Sequence, residues 1–410
     1  MTEGEAYALL ERRTEVGTSS WLPIWVAFAA GVAAAASQNQ IPPMAPLLRS
    51  SLNLSPLVMG LVMSSFGIAG AVLGIPAGIV MGRRSLKKLA LLGMLALVIG
   101  NLVPLIYFSA AGIVVGRIVG GVGFALVAVA APSIVSHSAP PEKRGLAMGI
   151  WAAWVPVGTL AIFNLTPWLA RVLSARGVWG FCLVLCLAAA LAMYFLAPEV
   201  TNPEEVAKEP SSERASIRRP GGPNLSLIYV NAAFLVYAGT MLSVTTWFPT
   251  FLVQVRSLSL ATATLIGSLA SLGALVGCPL AGHLYDRYRS SRLICGGSSA
   301  TQAVLYLLIF HLAVGVVPVV QFCVGLIGSM VPTVVFAAIP HLARQAREVP
   351  LGLGLALTAQ NGGLILGPTL TGWILDATGS WNALALAISL ACAFTAALWV
   401  FLPIEAQGRA

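Results

Sequence analysis

Twelve apolar runs, each about twenty residues or longer, account for most of this 410-residue chain. They occupy 21–43, 56–81, 88–109, 111–134, 145–170, 178–198, 225–252, 258–284, 293–312, 315–340, 351–374 and 381–403. At 1.5 Å per residue each is long enough to cross ~30 Å of hydrocarbon as a helix. Lipid offers no partner for backbone N–H and C=O groups, so runs of this length call for an all-α membrane bundle. Composition points the same way: 58% of residues are hydrophobic and 9% charged, against about 25% charged in soluble domains. These figures exclude a soluble globule, a disordered chain, a collagen repeat and a secreted disulfide scaffold. The six cysteines lie in apolar runs, where a thiol packs as a small hydrophobe. Cys182 and Cys186 are four apart, but no His or acid stands near them to complete a metal site.

Charge in the connecting segments sets an orientation. Eighteen Lys and Arg residues fall in the tails and after the even-numbered runs, whereas the other side carries Arg49, Arg171, Arg176 and Arg256. The positive-inside rule then places both termini in the cytoplasm, and a plasma (inner) membrane is the expected location. Trp168, Trp179, Trp373 and Trp381 fall at the expected outer boundaries, where an aromatic belt belongs. Acidic residues before the first run, and no small-residue cleavage site after it, make that run a retained helix rather than a signal peptide.

Residues 199–222 form the one long polar stretch inside the chain, rich in Glu, Pro, Ser and Arg. It reads as a flexible cytoplasmic linker between six helices and six. The expected organisation is a tail over 1–20, a six-helix bundle over 21–198, the linker, a second bundle over 223–403 and a tail over 404–410. The halves also repeat. Gly78 through Arg83 at the end of the second run superposes on Gly282 through Arg287 at the end of the eighth, an offset of 204 residues. A duplicated six-helix unit follows.

These segments resemble the major facilitator superfamily, whose signature after the second helix is approximately G-x-L-A-D-R-x-G-R-R. Asp286 and Arg287 match its acid and base, whereas Gly82 stands where the first half usually has Asp and Ser85 replaces a Gly. Arg117 with Gly121, the Pro140 to Gly145 loop, Trp247-Phe248-Pro249, and Leu366-Gly367-Pro368 through Trp381 extend the likeness along nearly the whole chain. Within the superfamily the sequence looks most like the cyanate and 2-nitroimidazole permeases, with organic-anion porters next. The resemblance implies two six-helix bundles rocking about a site near the midplane, and gating contacts at Gly78, Arg83, Arg144, Asp286 and Arg287.

Candidate solute contacts come from polar groups inside the spans. Arg117 is the charged side chain that lies well within a span, where a guanidinium costs several kcal/mol unless it meets water, carbonyls or an anion. Substrate contact and structural bonding to helix carbonyls are both open to it. The repeat offset, taken as 204 or 205, sets Gln321 or Phe322 opposite Arg117. Gln38, Asn39 and Gln40 spread over about 200° of the first helix, so at least one amide faces the protein interior. Gln360 and Asn361 pose the same question in the eleventh. Trp151 and Trp154 share a face of the fifth, as a packing pair or as a wall for a planar solute. Tyr237, Thr245, Thr246 and Trp247, together with Thr333, are further candidates, whereas Asn101 and Asn164 read as structural. Gly70, Gly74, Gly78 and Gly82, like Gly112, Gly116 and Gly120, recur every four residues, the spacing for close helix approach in lipid.

All 14 acids lie in tails, loops or helix ends, so a carboxylate relay within the membrane is not expected. No phosphate-binding lysine loop, nucleophile elbow or metal-ligand cluster appears, so the chain is expected to be neither enzyme nor ATP-driven pump, with no cofactor, no nucleic-acid partner and a monomeric working state. The sequence thus predicts a secondary transporter for a small anionic or planar polar solute. A drug or metabolite exporter of the same fold is the rival, although Val155-Pro156-Val157-Gly158 lacks the Gly-Pro pair usual in antiporters of that kind.

Overall fold

The computed structural model describes residues 21–80, 85–199, 224–344 and 348–401, with the backbone alone for 73–80, Pro141 and Pro350. The linker beyond Glu199 and both tails lie outside the described residues, as do Gly82 and Arg83. Fourteen α-helices are described. In the first half they are α1 (Trp21–Asn39), α2 (Ile41–Leu52), α3 (Pro56–Val80), α4 (Leu86–Ile106), α5 (Ala110–Ser138), α6 (Arg144–Ala152) and α7 (Trp154–Leu196). In the second they are α8 (Leu225–Gln254), α9 (Leu260–Tyr288), α10 (Gly297–Ile309), α11 (Val317–Gly328), α12 (Met330–Leu342), α13 (Glu348–Thr378) and α14 (Trp381–Phe401).

The helices make twelve passes in two six-helix bundles. Nine described stretches are long and apolar enough to cross a membrane, and one of them, Arg144–Leu196, has 53 residues, enough for two crossings. It turns at Ser174, whose φ of 65° and ψ of 176° are not helical. α3 and α13 complete the set. Three passes are broken in ways that apolar run length does not reveal: α1 gives way to α2 at Gln40, α6 to α7 at Ala153, and α11 to α12 at Ser329. At the first break Pro42 and Pro43 bring no N–H, so the helix bonds to the carbonyls four residues earlier are lost. Helix starts are set by short polar side chains: Ser109 accepts from the Gly112 N–H, and Ser259 from the Thr262 N–H.

Within the first bundle, glycines let the backbones touch. A Cβ on Gly116 would lie 2.5 Å from the Gly100 carbonyl oxygen, and one on Gly121 would run into the Phe66 carbonyl. The stripe on α5 therefore serves close packing, which drives helix association in lipid. Between bundles, α3 packs along α13 and α7 along α9. The 204-residue offset carries α3 onto α9 and the α6–α7 pass onto α13, so these two interfaces are symmetry equivalents.

Among the described residues the contacts between bundles gather at one end. We call it the Asn53 end, after the turn between α2 and α3, and the other the Pro140 end. A single apolar core fills the second bundle and continues into the first through Met44, Met59, Met63 and Phe163, all toward the Asn53 end. The Pro140 half of the first bundle has its own core around Leu86, Val127, Ala131 and Met193, to which the other bundle adds Leu242 and Leu364. Polar contacts repeat the pattern: Ser64 Oγ is 2.7 Å from Thr369 Oγ1, Asn164 Nδ2 donates to Ser268 Oγ at 3.1 Å, and Arg49 Nη1 donates to Gln254 Oε1 at 3.4 Å. A Cβ on Gly60 would lie 2.5 Å from the Pro368 carbonyl oxygen, and one on Gly372 2.6 Å from that of Pro56. Toward the Pro140 end, by contrast, Cβ atoms on Gly145, Gly149 and Gly282 would touch nothing within 4 Å.

The tryptophan belt needs one correction. Trp168 and Trp373 are exposed, as a belt requires, and Trp381 is partly buried edge-on to Phe251. Trp179 instead is fully enclosed, edge-on to Phe108 with ring centroids 5.9 Å apart. It begins the second leg of α7 on the face that packs inward.

Candidate functional site

Arg117 lies in the middle of the first bundle, 4% exposed. Its Nη1 donates to the Gln38 carbonyl at 3.2 Å and its Nη2 to the Met63 carbonyl at 3.0 Å. The first bond has a local cause. In a regular helix the Gln38 carbonyl would accept from residue 42, and Pro42 has nothing to donate. The guanidinium also lies over the Phe66 ring, 4.8 Å from its centroid. Of the two roles open to Arg117 in the sequence, carbonyl bonding is the one seen in this conformation, and no solute-sized space adjoins it among the described residues.

From Arg117 an aromatic ladder runs outward. Phe66 meets Phe124 edge-on at 5.6 Å, Phe124 meets Trp154 at 5.2 Å, and Trp154 stacks on Trp151 at 5.0 Å. Trp151 is buried against Gly31 of α1, while Phe124 and Trp154 are half-buried. The ladder thus has a sealed end at Arg117 and a partly open middle. Phe124 was not singled out in the sequence. It stands seven residues, about two turns, from Arg117 on one face of α5, a spacing that would have marked it.

The amides divide. Gln40 is buried and donates to Asn101 Oδ1 at 2.9 Å, whereas Asn39 and Gln38 are half-buried, the former bonded to the Ala35 carbonyl. Asn361 caps Gly70 across the α3–α13 interface and donates to the Leu357 carbonyl. Gln360 is exposed. At about 100° per residue it projects between the Gly363 and Gly367 face that packs on α8 and the Leu364 face that packs on α3. That direction is turned from the exposed Leu366, Leu370 and Trp373 stripe toward the neighbouring helices α3 and α8.

Other candidates serve the second bundle's own packing. Tyr237 is fully enclosed and donates to the Gly328 carbonyl at 3.0 Å. Gln321 is buried and donates to the Gly267 carbonyl at 3.3 Å, so the residue set opposite Arg117 by the repeat is turned toward α9. Trp247 is enclosed with its N–H on the Pro368 carbonyl, and Thr246 is buried. Thr245 is half-buried and bonded to the Met241 carbonyl, and Thr333 to that of Ser329. Asn101 and Asn164 act as structural bridges. Of the gating set, Arg144, Asp286 and Arg287 are exposed at the Pro140 end, with Arg287 over the Tyr288 ring at 5.8 Å. Gly78 belongs to the backbone-only part of α3.

Two repeated six-helix bundles, packed on each other through α3–α13 and α7–α9, have the architecture of a secondary transporter. Residues 26–347 match the Major Facilitator Superfamily, and the chain belongs to it. A hexuronate transporter of Bacillus subtilis (strain 168) is 24% identical over 374 residues, covering 87% of this chain and 88% of that one. A probable anion transporter 6, chloroplastic, of Arabidopsis thaliana is 23% identical over 350 residues, covering 79% and 67%. Among solved structures, a bacterial homologue of the human lysosomal transporter Spinster, inward-facing and unoccupied, superposes with a TM-score of 0.71 at 16% identity over 95% of both chains. A peptide transporter in complex with alafosfalin gives 0.73 at 14% identity over 92% of this chain and 93% of that one. These two likenesses establish the fold.

Proposed function

We propose that this transporter moves a small organic anion by alternating access, with sugar acids of the hexuronate type as the leading class. The observation that carries the reading is the Arg117 guanidinium, which is enclosed and bonded to two carbonyls rather than to a carboxylate. Its positive charge therefore reaches into the low-dielectric interior unneutralised by those partners. At ~10 Å and an effective dielectric of ~20 a unit charge attracts an anion by about 1.7 kcal/mol, so Arg117 favours an anion without touching it. Relatives that span most of the chain, and whose names say hexuronate and anion transport, support the same class.

In this reading Gln38, Asn39, Phe124, Trp154, Thr245, Gln360 and Asn361 border the solute path. The half-buried rings of Phe124 and Trp154 suit the flat C–H face of a sugar ring, and the amides suit its hydroxyls. The Asn53 end faces the outside, both termini lie in the cytoplasm, and Gly78, Arg83, Arg144, Asp286 and Arg287 engage when the Pro140 end closes. The likeness to cyanate and 2-nitroimidazole permeases keeps small planar solutes in the panel to be tested. Moving a bare monovalent anion inward costs about 2.3 kcal/mol per 100 mV of inside-negative potential, a cost that exchange, efflux or co-entry of protons on the solute would avoid. Counterflow of labelled hexuronate in proteoliposomes tests the proposal. Saturable exchange that other anions inhibit and neutral hexoses do not is expected, and exchange of neutral sugars indifferent to anions would refute it.

A further inference from the structure

A polar chain inside the first bundle ties α1, α4 and α7 together and takes no part in the solute path. Gln40 Nε2 donates to Asn101 Oδ1 at 2.9 Å and to the Ser37 carbonyl at 3.1 Å, which uses both of its N–H groups. Asn101 Nδ2 donates to Ser37 Oγ at 3.0 Å and to the Leu97 carbonyl at 2.9 Å, which uses both of its own. Ser37 Oγ lies 3.3 Å from Cys186 Sγ. Two enclosed atoms at the edge of this chain have no partner: Nε of Arg117, which can only donate, and Oε1 of Gln40, which can only accept. Turning the Gln40 amide over does not repair the mismatch, because it breaks both Nε2 bonds.

Arg117 and Gln40 line the same void, of ≈ 10 Å³, closed by Ser37 on its polar side and by Phe66 and Trp179 on its apolar side. One water needs about 10–15 Å³ and two to four polar partners. We propose that a single water molecule is bound in this void, accepting from Arg117 Nε–H and donating to Gln40 Oε1, with its second hydrogen toward Ser37. An anion is excluded, because Gln40 offers it a lone pair and the space ends at one water. Three of the five guanidinium N–H groups are then held within one bundle: by a carbonyl of α1, by a carbonyl of α3, and through the water by the junction of α1 and α2. Arg117 travels with that bundle and does not swing out to meet a solute.

X-ray radiolytic footprinting of the purified full-length protein in nanodiscs tests this, since water cleaved in place modifies the side chains beside it even where bulk solvent is shut out. Trp179 and Trp247 are both fully enclosed, and only Trp179 lines the void. Modification of Trp179 about fivefold or more faster than Trp247 is expected, and equal slow rates would overturn the proposal. Q40M, which keeps the length and removes the acceptor, is expected to bring Trp179 down to the Trp247 rate; an unchanged rate overturns it. A Ser64→Cys, Thr369→Cys pair oxidised to seal the Asn53 end is expected to keep fast Trp179 labelling, and loss of labelling on sealing would assign it to bulk solvent instead.

Discussion

At the scale of single residues, the charge and the geometry of Arg117 separate experimentally. Arg117→Gln removes the charge and is expected to weaken anion affinity about tenfold, the equivalent of about 1.4 kcal/mol. Arg117→Lys keeps the charge but cannot reach two carbonyls on different helices. It is expected to keep most of the affinity while lowering the melting temperature in detergent, and equal loss of affinity in both variants would argue against a through-space role. Asn101→Leu leaves the Gln40 amide and Ser37 hydroxyl short of partners and is expected to destabilise the protein by about 1–3 kcal/mol, read as a shift in thermal unfolding, with counterflow largely retained. Much of this scale was not legible in the sequence. Arg117, the helix 1 amides and the paired tryptophans stood out because polar or bulky groups are conspicuous in an apolar span. Which way each faces did not, because a span apolar on every side has no solvated face to fix its rotation. Tyr237 and Gln321 turn into their own bundle and Phe124 into the aromatic ladder, orientations that an all-apolar span does not encode.

At the scale of helices, the seal between α3 and α13 rests on backbone approach more than on polar bonds. Gly60 and Gly372 each bring a helix against a carbonyl of its partner, whereas the Ser64–Thr369 contact is one neutral hydrogen bond. Gly60→Leu is therefore expected to push the helices apart, weighting the population toward a form open at the Asn53 end. Faster labelling of a cysteine at Ser64 by an impermeant thiol reagent added from that side would register the shift, and an unchanged rate would count against it. The oxidised Ser64→Cys, Thr369→Cys pair should instead halt transport until reduced. Element existence was well marked in the sequence, since run length alone decides that a segment crosses the bilayer. The breaks at Gln40, Ala153 and Ser329 were not, although Pro42-Pro43 carried the physical cause of the first.

At the scale of the whole molecule, the repeat offset, the two cores and the one-sided contacts among the described residues support the proposal that the bundles turn about their contact and open at alternate ends. The fold class is legible in the length of the apolar runs, and the duplication in an offset of 204 residues. The conformation is not, because it depends on how far two symmetric interfaces have tilted. Spin-label distances measured across both ends test the central claim most directly. Labels at Ser50→Cys and Val255→Cys span the Asn53 end, and labels at Leu146→Cys and Tyr288→Cys span the Pro140 end, all at exposed positions. On addition of saturating hexuronate, the first pair is predicted to gain a longer-distance component while the second gains a shorter one, with no response to a neutral hexose. Distances that change together at both ends, or that answer equally to the neutral sugar, would contradict an anion carried by alternating access.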